Sequence, residues 1–266
     1  MIIIGASTAN LYPDNTEDAL ETLLELGFRE LEIFLNTESE TTAAYIASLL
    51  ERTAAFGARI RAVHPYTSFM EPYLLFSAYH RRWEDGIRLY NHLFETAAAL
   101  GADYLVLHGD RLDGALPLEE FAERYSCLYD RGQQHGVTLL QENVARFRSR
   151  MPAFVRDMRR MLGDRAQFVL DVKQCARSGI AVDDMVEAMG EGIRHVHISD
   201  HDDERDCLLP GRGRMEYGAL FASLRQNGFD GAVMLELYRE DFGRPEELWE
   251  AKQHLEAFLP DMWSVL

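Results

Sequence analysis

Leu100-Gly101-Ala102-Asp103-Tyr104-Leu105-Val106-Leu107-His108-Gly109 ends one amphipathic stretch at a glycine and begins an apolar run almost at once. A glycine just past a helix adopts the left-handed conformation that ends it and turns the chain toward a sheet. Outward from this segment the phrase repeats. Gly27 precedes the run 30–35, Gly57 the run 59–64, Gly136 the run 137–142, Gly163 the run 168–171, Gly192 the run 193–199 and Gly228 the run 232–237. With 2–6 as a first strand, about eight strands alternate with about eight helices. Strands that alternate with helices pair in parallel, because each crossover must cover the sheet. An eightfold alternation over roughly 250 residues is the signature of a (β/α)₈ barrel.

The helices carry their own signals. Asn15 or Thr16 can cap 17–26, whose Ala19, Leu20, Leu23 and Leu24 make one apolar stripe. Pro245 sits at the first turn of a last helix bearing Leu248, Trp249, Leu255 and Phe258. An open doubly wound sheet would show a glycine-rich phosphate loop after its first strand. The segment Gly5-Ala6-Ser7-Thr8-Ala9-Asn10 is not G-x-G-x-x-G. No linker or low-complexity run divides the chain, so the expectation is an α/β fold with one (β/α)₈ domain over 1–266.

Composition narrows the function. The 266 residues are 47% hydrophobic, enough for a large core, and carry a formal charge of −17. So acidic a surface repels phosphate backbones and anionic lipid, which disfavours nucleic-acid and membrane partners. Cys127, Cys175 and Cys207 are too few and too irregularly spaced for a disulfide framework or a CxxC knuckle. The N-terminus lacks the basic and long apolar regions of a leader, and no apolar stretch is long enough to cross a bilayer. The expectation is a soluble, cytoplasmic protein.

In such a barrel, chemistry sits where strands end and the following loops begin. The third run ends in His64, the fourth in His108, the fifth in Gln141-Glu142-Asn143 and the sixth in Asp171. The seventh reads His195-Val196-His197-Ile198-Ser199-Asp200 and the eighth Met234-Leu235-Glu236-Leu237. One polar strand end would mean little, since a lone histidine there is usually a hydrogen-bonded core residue. Six in succession are hard to produce by packing alone. Inward carboxylates so close together repel unless a cation or protons neutralise them, and a metal ion does so economically. Glu142, Asp171, His197 and Glu236 offer three carboxylates and one imidazole. Such an oxygen-rich set suits one divalent ion, Mn²⁺ or Mg²⁺ first, with Co²⁺, Fe²⁺ or Zn²⁺ as alternatives. His195 and His197 share a strand face, so either could ligate, and His197 lies nearer the strand's end.

These residues carry a family resemblance. The pieces are Val63-His64-Pro65, Leu107-His108-Gly109, Gln141-Glu142-Asn143, Leu170-Asp171, the 195–200 segment, Pro210-Gly211-Arg212-Gly213 and Gly228-Phe229-Asp230-Gly231 running to Leu235-Glu236. In this order, over nearly the whole chain, they resemble the xylose isomerase-like barrel superfamily of sugar isomerases and epimerases, which includes the endonuclease IV branch. The resemblance implies metal ligation by Glu142, Asp171, His197 and Glu236, with Glu142 and Glu236 as acid and base. It implies that His64 and His108 line a sugar pocket and that Glu32 supports the site through hydrogen bonds. Relatives of this kind often form dimers or tetramers, which leaves room for a homo-oligomer.

The chain also departs from the pattern. Three residues after Asp171 stands Gln174, where the family often has histidine; an amide can hydrogen-bond a substrate but is a poor ligand and a poor base. Gly211-Arg212-Gly213-Arg214 places two arginines where an acidic residue is commoner at the last position. Arg212 is therefore a candidate for holding a substrate phosphate or carboxylate, with a solvated loop as the plain alternative. Phe34, Tyr66, Phe69 and Tyr238 could shield the site or stack on a sugar. A metal beside a keto sugar would stabilise an enediolate while two glutamates remove and return the proton. Epimerisation, aldose–ketose isomerisation or dehydration follow according to where the proton returns. A metal-dependent nuclease of the same superfamily would need more imidazoles and a basic groove. A non-catalytic sugar-binding barrel would have lost one of the glutamates.

Overall fold

The first strand closes the sheet against the last. In the computed structural model, which describes residues 1–114 and 116–259, eight parallel strands form a closed barrel in chain order. They are β1 (Ile3–Ser7), β2 (Glu30–Phe34), β3 (Arg59–His64), β4 (Tyr104–Leu107), β5 (Thr138–Glu142), β6 (Phe168–Asp171), β7 (Ile193–Ile198) and β8 (Ala232–Leu235). Ile3 stands opposite Ala232, and Ala6 opposite Leu235. Around the barrel lie α1 (Thr16–Leu26), α2 (Ala43–Ala55), α3 (Glu71–Leu74), α4 (His80–Ala99), α5 (Leu118–Gln134), α6 (Pro152–Leu162), α7 (Val172–Ser178), α8 (Val182–Met189), α9 (Tyr217–Gln226) and α10 (Glu246–Glu256). The 260–266 part of the expected domain, and Ala115, lie outside the described residues. Among the described residues no helix is long and apolar enough to cross a membrane.

There are more helices than the repeat suggests. The single-turn α3 sits in the β3–α4 connection, and the short α7 starts directly on the end of β6. Four expected strands, β2, β4, β7 and β8, stop one or two residues early, and after two of them side chains take over the hydrogen bonds of the ladder. After β4, the backbone N–H groups of His108 and Gly109 donate to the Glu71 carboxylate at 2.7 and 2.8 Å. After β8, the Leu237 N–H donates to Asn10 Oδ1 at 2.7 Å. Both devices satisfy the backbone while turning it into the mouth of the barrel.

Six of the seven expected glycine turns are present: Gly27, Gly57, Gly101, Gly136, Gly163 and Gly228 all have positive φ. The seventh is different. Before β7 the left-handed residue is Gly190, with φ 51°, and not Gly192. Gly192 is needed for closeness: a Cβ there would stand 2.5 Å from the Ala166 carbonyl oxygen. In α1 the expected stripe Ala19, Leu20, Leu23 and Leu24 is buried. Its N-cap Asn15 makes no capping hydrogen bond; its amide donates to Asp18 instead. In α10, Trp249 packs edge-on against Phe28 with centroids 5.6 Å apart, tying the last helix to the first unit.

The core has two parts. The larger fills the layer between sheet and helices. The smaller, Val106, Leu140 and Val169 with Tyr104 against them, forms a separate cluster. These three lie two residues before His108, Glu142 and Asp171, so by strand alternation they are the barrel's inner floor and the polar residues its next layer up.

Candidate metal centre

Successive strand ends deliver the side chains. Glu142 ends β5, Asp171 ends β6, His197 is the penultimate residue of β7, and Glu236 directly follows β8. Asp171 pairs in register with His197. All four are buried, and one ligand atom from each lies within 4.8 Å of the others. From His197 Nδ1 the distances are 3.5 Å to Glu142 Oε1, 3.8 Å to Asp171 Oδ2 and 3.3 Å to Glu236 Oε2. Atoms sharing one ion at bonds of about 2.1 Å stand about 3–4 Å apart. The three distances from His197 Nδ1 fall in that range.

The scaffold occupies one side of these ligands and leaves the other free. His197 Nε2 lies 2.9 Å from Glu32 Oε2, which turns Nδ1 toward the cluster. Asp171 Oδ1 accepts from the Gln174 N–H at 3.0 Å, capping α7, while Asp171 Oδ2 faces inward. Asn143 holds the Asp171 backbone at both polar atoms, at 2.7 and 2.9 Å. Asp171 Oδ2 and His197 Nδ1 are buried with no hydrogen-bond partner. Buried polar atoms are rarely left so, and two that face each other at 3.8 Å fit a shared cation.

The electrostatics agree. Burial alone would raise the pKa of Glu142, but His108 above all, with His197 and His64 nearby, outweighs it and holds the carboxyl well below its usual range. Burial likewise opposes ionisation of Glu236, yet His197 and Lys173 hold it below the usual range. For Asp171 burial wins and the pKa is raised, with Lys173 offsetting only part. Burial disfavours a charged His197, but Glu236 and Glu32 around it push its pKa well above normal. A ligating imidazole must be neutral, so a divalent ion would take over the role of that proton.

A second group adjoins the first. His64 Nε2 and His108 Nε2 are 3.0 Å apart, and His108 Nε2 is 2.9 Å from Glu142 Oε2. Phe34 stacks on His64 with centroids 4.4 Å apart, and Phe147 lies edge-on to His108 at 5.5 Å. Glu142 thus belongs to both groups. Below them, His195 Nε2 is 3.0 Å from the same Glu32 oxygen that meets His197, in the interior of the barrel.

A family model described as xylose isomerase-like TIM barrel matches residues 20–258. The chain belongs to that family. An uncharacterized protein of Mycobacterium tuberculosis is 27% identical over 263 residues, 89% of this chain and 89% of that one. An inosose isomerase of Bacillus velezensis is 26% identical over 185 residues, 63% of this chain and 66% of that enzyme. The crystal structure of a D-tagatose 3-epimerase-like protein superimposes with a TM-score of 0.79 at 19% identity, over 97% of each chain.

Within this xylose isomerase-like barrel the remaining candidates divide. Gln174 is nearly buried, and its Oε1 accepts from the Ala145 N–H at 3.1 Å, so it ties the β5 loop to α7. Arg212 is not brought to the centre: its guanidinium pairs with Glu247 at the surface, and Arg214 pairs with Asp203. An acidic partner 35 positions away holds Arg212 at the surface, as in the solvated-loop alternative. Phe69 is 79% exposed and makes no wall of the site. The cysteines are unpaired, and burial pushes the Cys175 and Cys207 thiols up, so both stay protonated.

Three residues matter here that sequence reasoning missed. Glu71 fixes the backbone at His108 and is itself held by the Tyr90 hydroxyl at 2.6 Å. Asp200 gathers the N–H groups of His201, Gly211, Gly213 and Met215 at 2.8–3.0 Å and shapes the 200–215 loop. Lys173 places an ammonium beside Glu236. Only Asp200 left a signal, at the end of the 195–200 motif.

Proposed function

We propose that the chain is a divalent-metal-dependent isomerase or epimerase of a keto sugar or its phosphate, with Glu142 and Glu236 as the acid/base pair. The observation that carries this reading is the cluster itself. Two carboxylates, one ending β5 and one just after β8, approach one imidazole nitrogen at 3.5 and 3.3 Å, and all three residues are buried at the strand ends. Resemblance to an inosose isomerase and to an epimerase-like barrel supports the same class.

A divalent ion, Mn²⁺ by preference and Mg²⁺, Co²⁺ or Zn²⁺ as alternatives, would be held by Glu142, Asp171, His197 and Glu236 and would supply charge to stabilise an oxyanion on the substrate. One glutamate takes the proton beside the substrate carbonyl and the other returns it. Return to the opposite face inverts the centre, and return to the neighbouring carbon moves the carbonyl. A related dehydratase would lose a hydroxyl at the same stage. His64 and His108 meet substrate hydroxyls, Gln174 lines the loop beside them, and Glu32 keeps the His197 ring in its orientation.

The test is solvent exchange. Free and phosphorylated ketoses and a keto-inositol are incubated with the protein in D₂O with Mn²⁺, and deuterium at the carbon beside the carbonyl is followed by NMR. Exchange that disappears with chelator is the expected result. No exchange with any of these substrates, in protein carrying one ion per chain, overturns the reading.

A second reading, metal-dependent cleavage of phosphodiesters, draws on one observation: His64 and His108 adjoin Glu142 closely enough to form a second cation-binding group. The charge of −17 weighs against a DNA substrate. Nicking of supercoiled DNA in the presence of Mn²⁺ or Zn²⁺ separates the two.

A further inference from the structure

Lys173 stands against every local preference. It lies in the first turn of α7, where the helix dipole disfavours a cation, and it is only 4% exposed, where an ammonium is costly unless paired. A residue that breaks two local rules marks strain or function. Its Nζ is 2.8 Å from Glu236 Oε2 and 3.6 Å from Asp171 Oδ2, and it lies over the Tyr238 ring at 4.9 Å from the centroid. Glu236 Oε2 is also the oxygen that stands 3.3 Å from His197 Nδ1. The atom a divalent ion needs from Glu236 is therefore held by an ammonium.

Two cations thus compete for one carboxylate oxygen. Glu142, Asp171 and Glu236 together carry −3 when ionised, and Lys173 reduces this to −2. We propose that Lys173 is a built-in competitor for the divalent ion: it holds Glu236 and Asp171 in place before the ion arrives, must yield Glu236 Oε2 when the ion binds, and so sets a weak, exchangeable metal affinity. This rests on the metal-dependent reading above. Lysine is suited to the role because its flexible stem lets the ammonium withdraw toward the Tyr238 ring face. A lysine that only braced the pocket would act in the opposite direction, since its loss would disorder the ligands and weaken binding.

The experiment is calorimetric titration of Mn²⁺ into chelator-stripped protein, with no turnover required. Lys173→Met should bind Mn²⁺ roughly 10- to 100-fold more tightly than the wild type, because one like charge near the ion has gone. Lys173→Arg, which keeps the charge, should stay near the wild type. Circular dichroism checks folding, and if the metal-free Lys173→Met chain does not fold, Lys173→Gln is titrated with the same expectation. Unchanged or weaker binding by the folded neutral variant overturns the proposal, as does equal tightening by Lys173→Arg. A wild type that binds no Mn²⁺ removes both this inference and the reading beneath it. A wild type that binds, with neutral variants that do not tighten, removes this inference alone.

Discussion

His195 and His197 sit two residues apart on one strand and reach the same oxygen of Glu32, at 3.0 and 2.9 Å, yet their proton affinities move in opposite directions. For His195, burial is the largest influence and the pKa falls. For His197, burial is outweighed by the carboxylates around it and the pKa climbs well above normal. One step down the strand is floor, beside the Tyr104 ring at 6.0 Å; one step up is the charged layer. The same alternation separates Leu140 from Glu142 and Val169 from Asp171. The barrel thus stacks a structural layer directly beneath a chemical one, and a substitution should be felt as stability or as activity according to its layer.

The strongest way to break that division is at the upper layer. Glu142→Gln should lower turnover at least about 10³-fold, since it removes the proposed acid/base group and the proposed ligand at once, while the melting temperature of the metal-free protein changes little. Parallel activity assays and thermal melts would show it, and a large loss of metal-free stability would erase the distinction. In the lower layer, Leu140→Ala should cost about 2–5 kcal/mol in urea unfolding while leaving Mn²⁺ stoichiometry at the wild-type value. A loss of metal binding without loss of stability would show that the floor is part of the site.

The smallest effect sharpens the comparison of the two histidines. A group whose folded pKa is raised lends stability that is present below its unfolded value, near 6.5, and is lost as pH rises through the folded value. His197 and His108 are of this kind. His195 is the reverse, and it subtracts stability as pH falls below about 6.5 toward its lowered value. Denaturant titrations of metal-free protein above neutral pH should therefore show stability declining as pH rises. The slope should flatten in His197→Asn and persist in His195→Asn. Equal slopes in the two variants would mean that the layers do not differ electrostatically.

How much of this was legible in the sequence depends on the same physics. Helix–glycine–strand spacing is local, so the barrel and its strand ends could be read, and with them Glu142, Asp171, His197 and Glu236. What could not be read depended on partners far along the chain: nothing local pointed to Glu247 as the partner of Arg212, 35 positions on, or to Glu236 as the partner of Lys173, 63 positions on. Gly190 and Gly192 were confused because two glycines two apart both precede β7, one needed for its backbone angle and the other for its missing side chain.

The pairing of Ile3 with Ala232 has a consequence for how the protein is made. β1 waits for a partner made 229 residues later, and at about 5–20 residues per second that wait is roughly 10–50 s. Until then one edge of β1 is unpaired, the kind of surface that seeks other chains. The proposed centre draws its last ligand, Glu236, from the residue just after β8, so its assembly waits on synthesis of the same closing strand. Synthesis order thereby keeps the complete ligand set from forming before the last strand has been made.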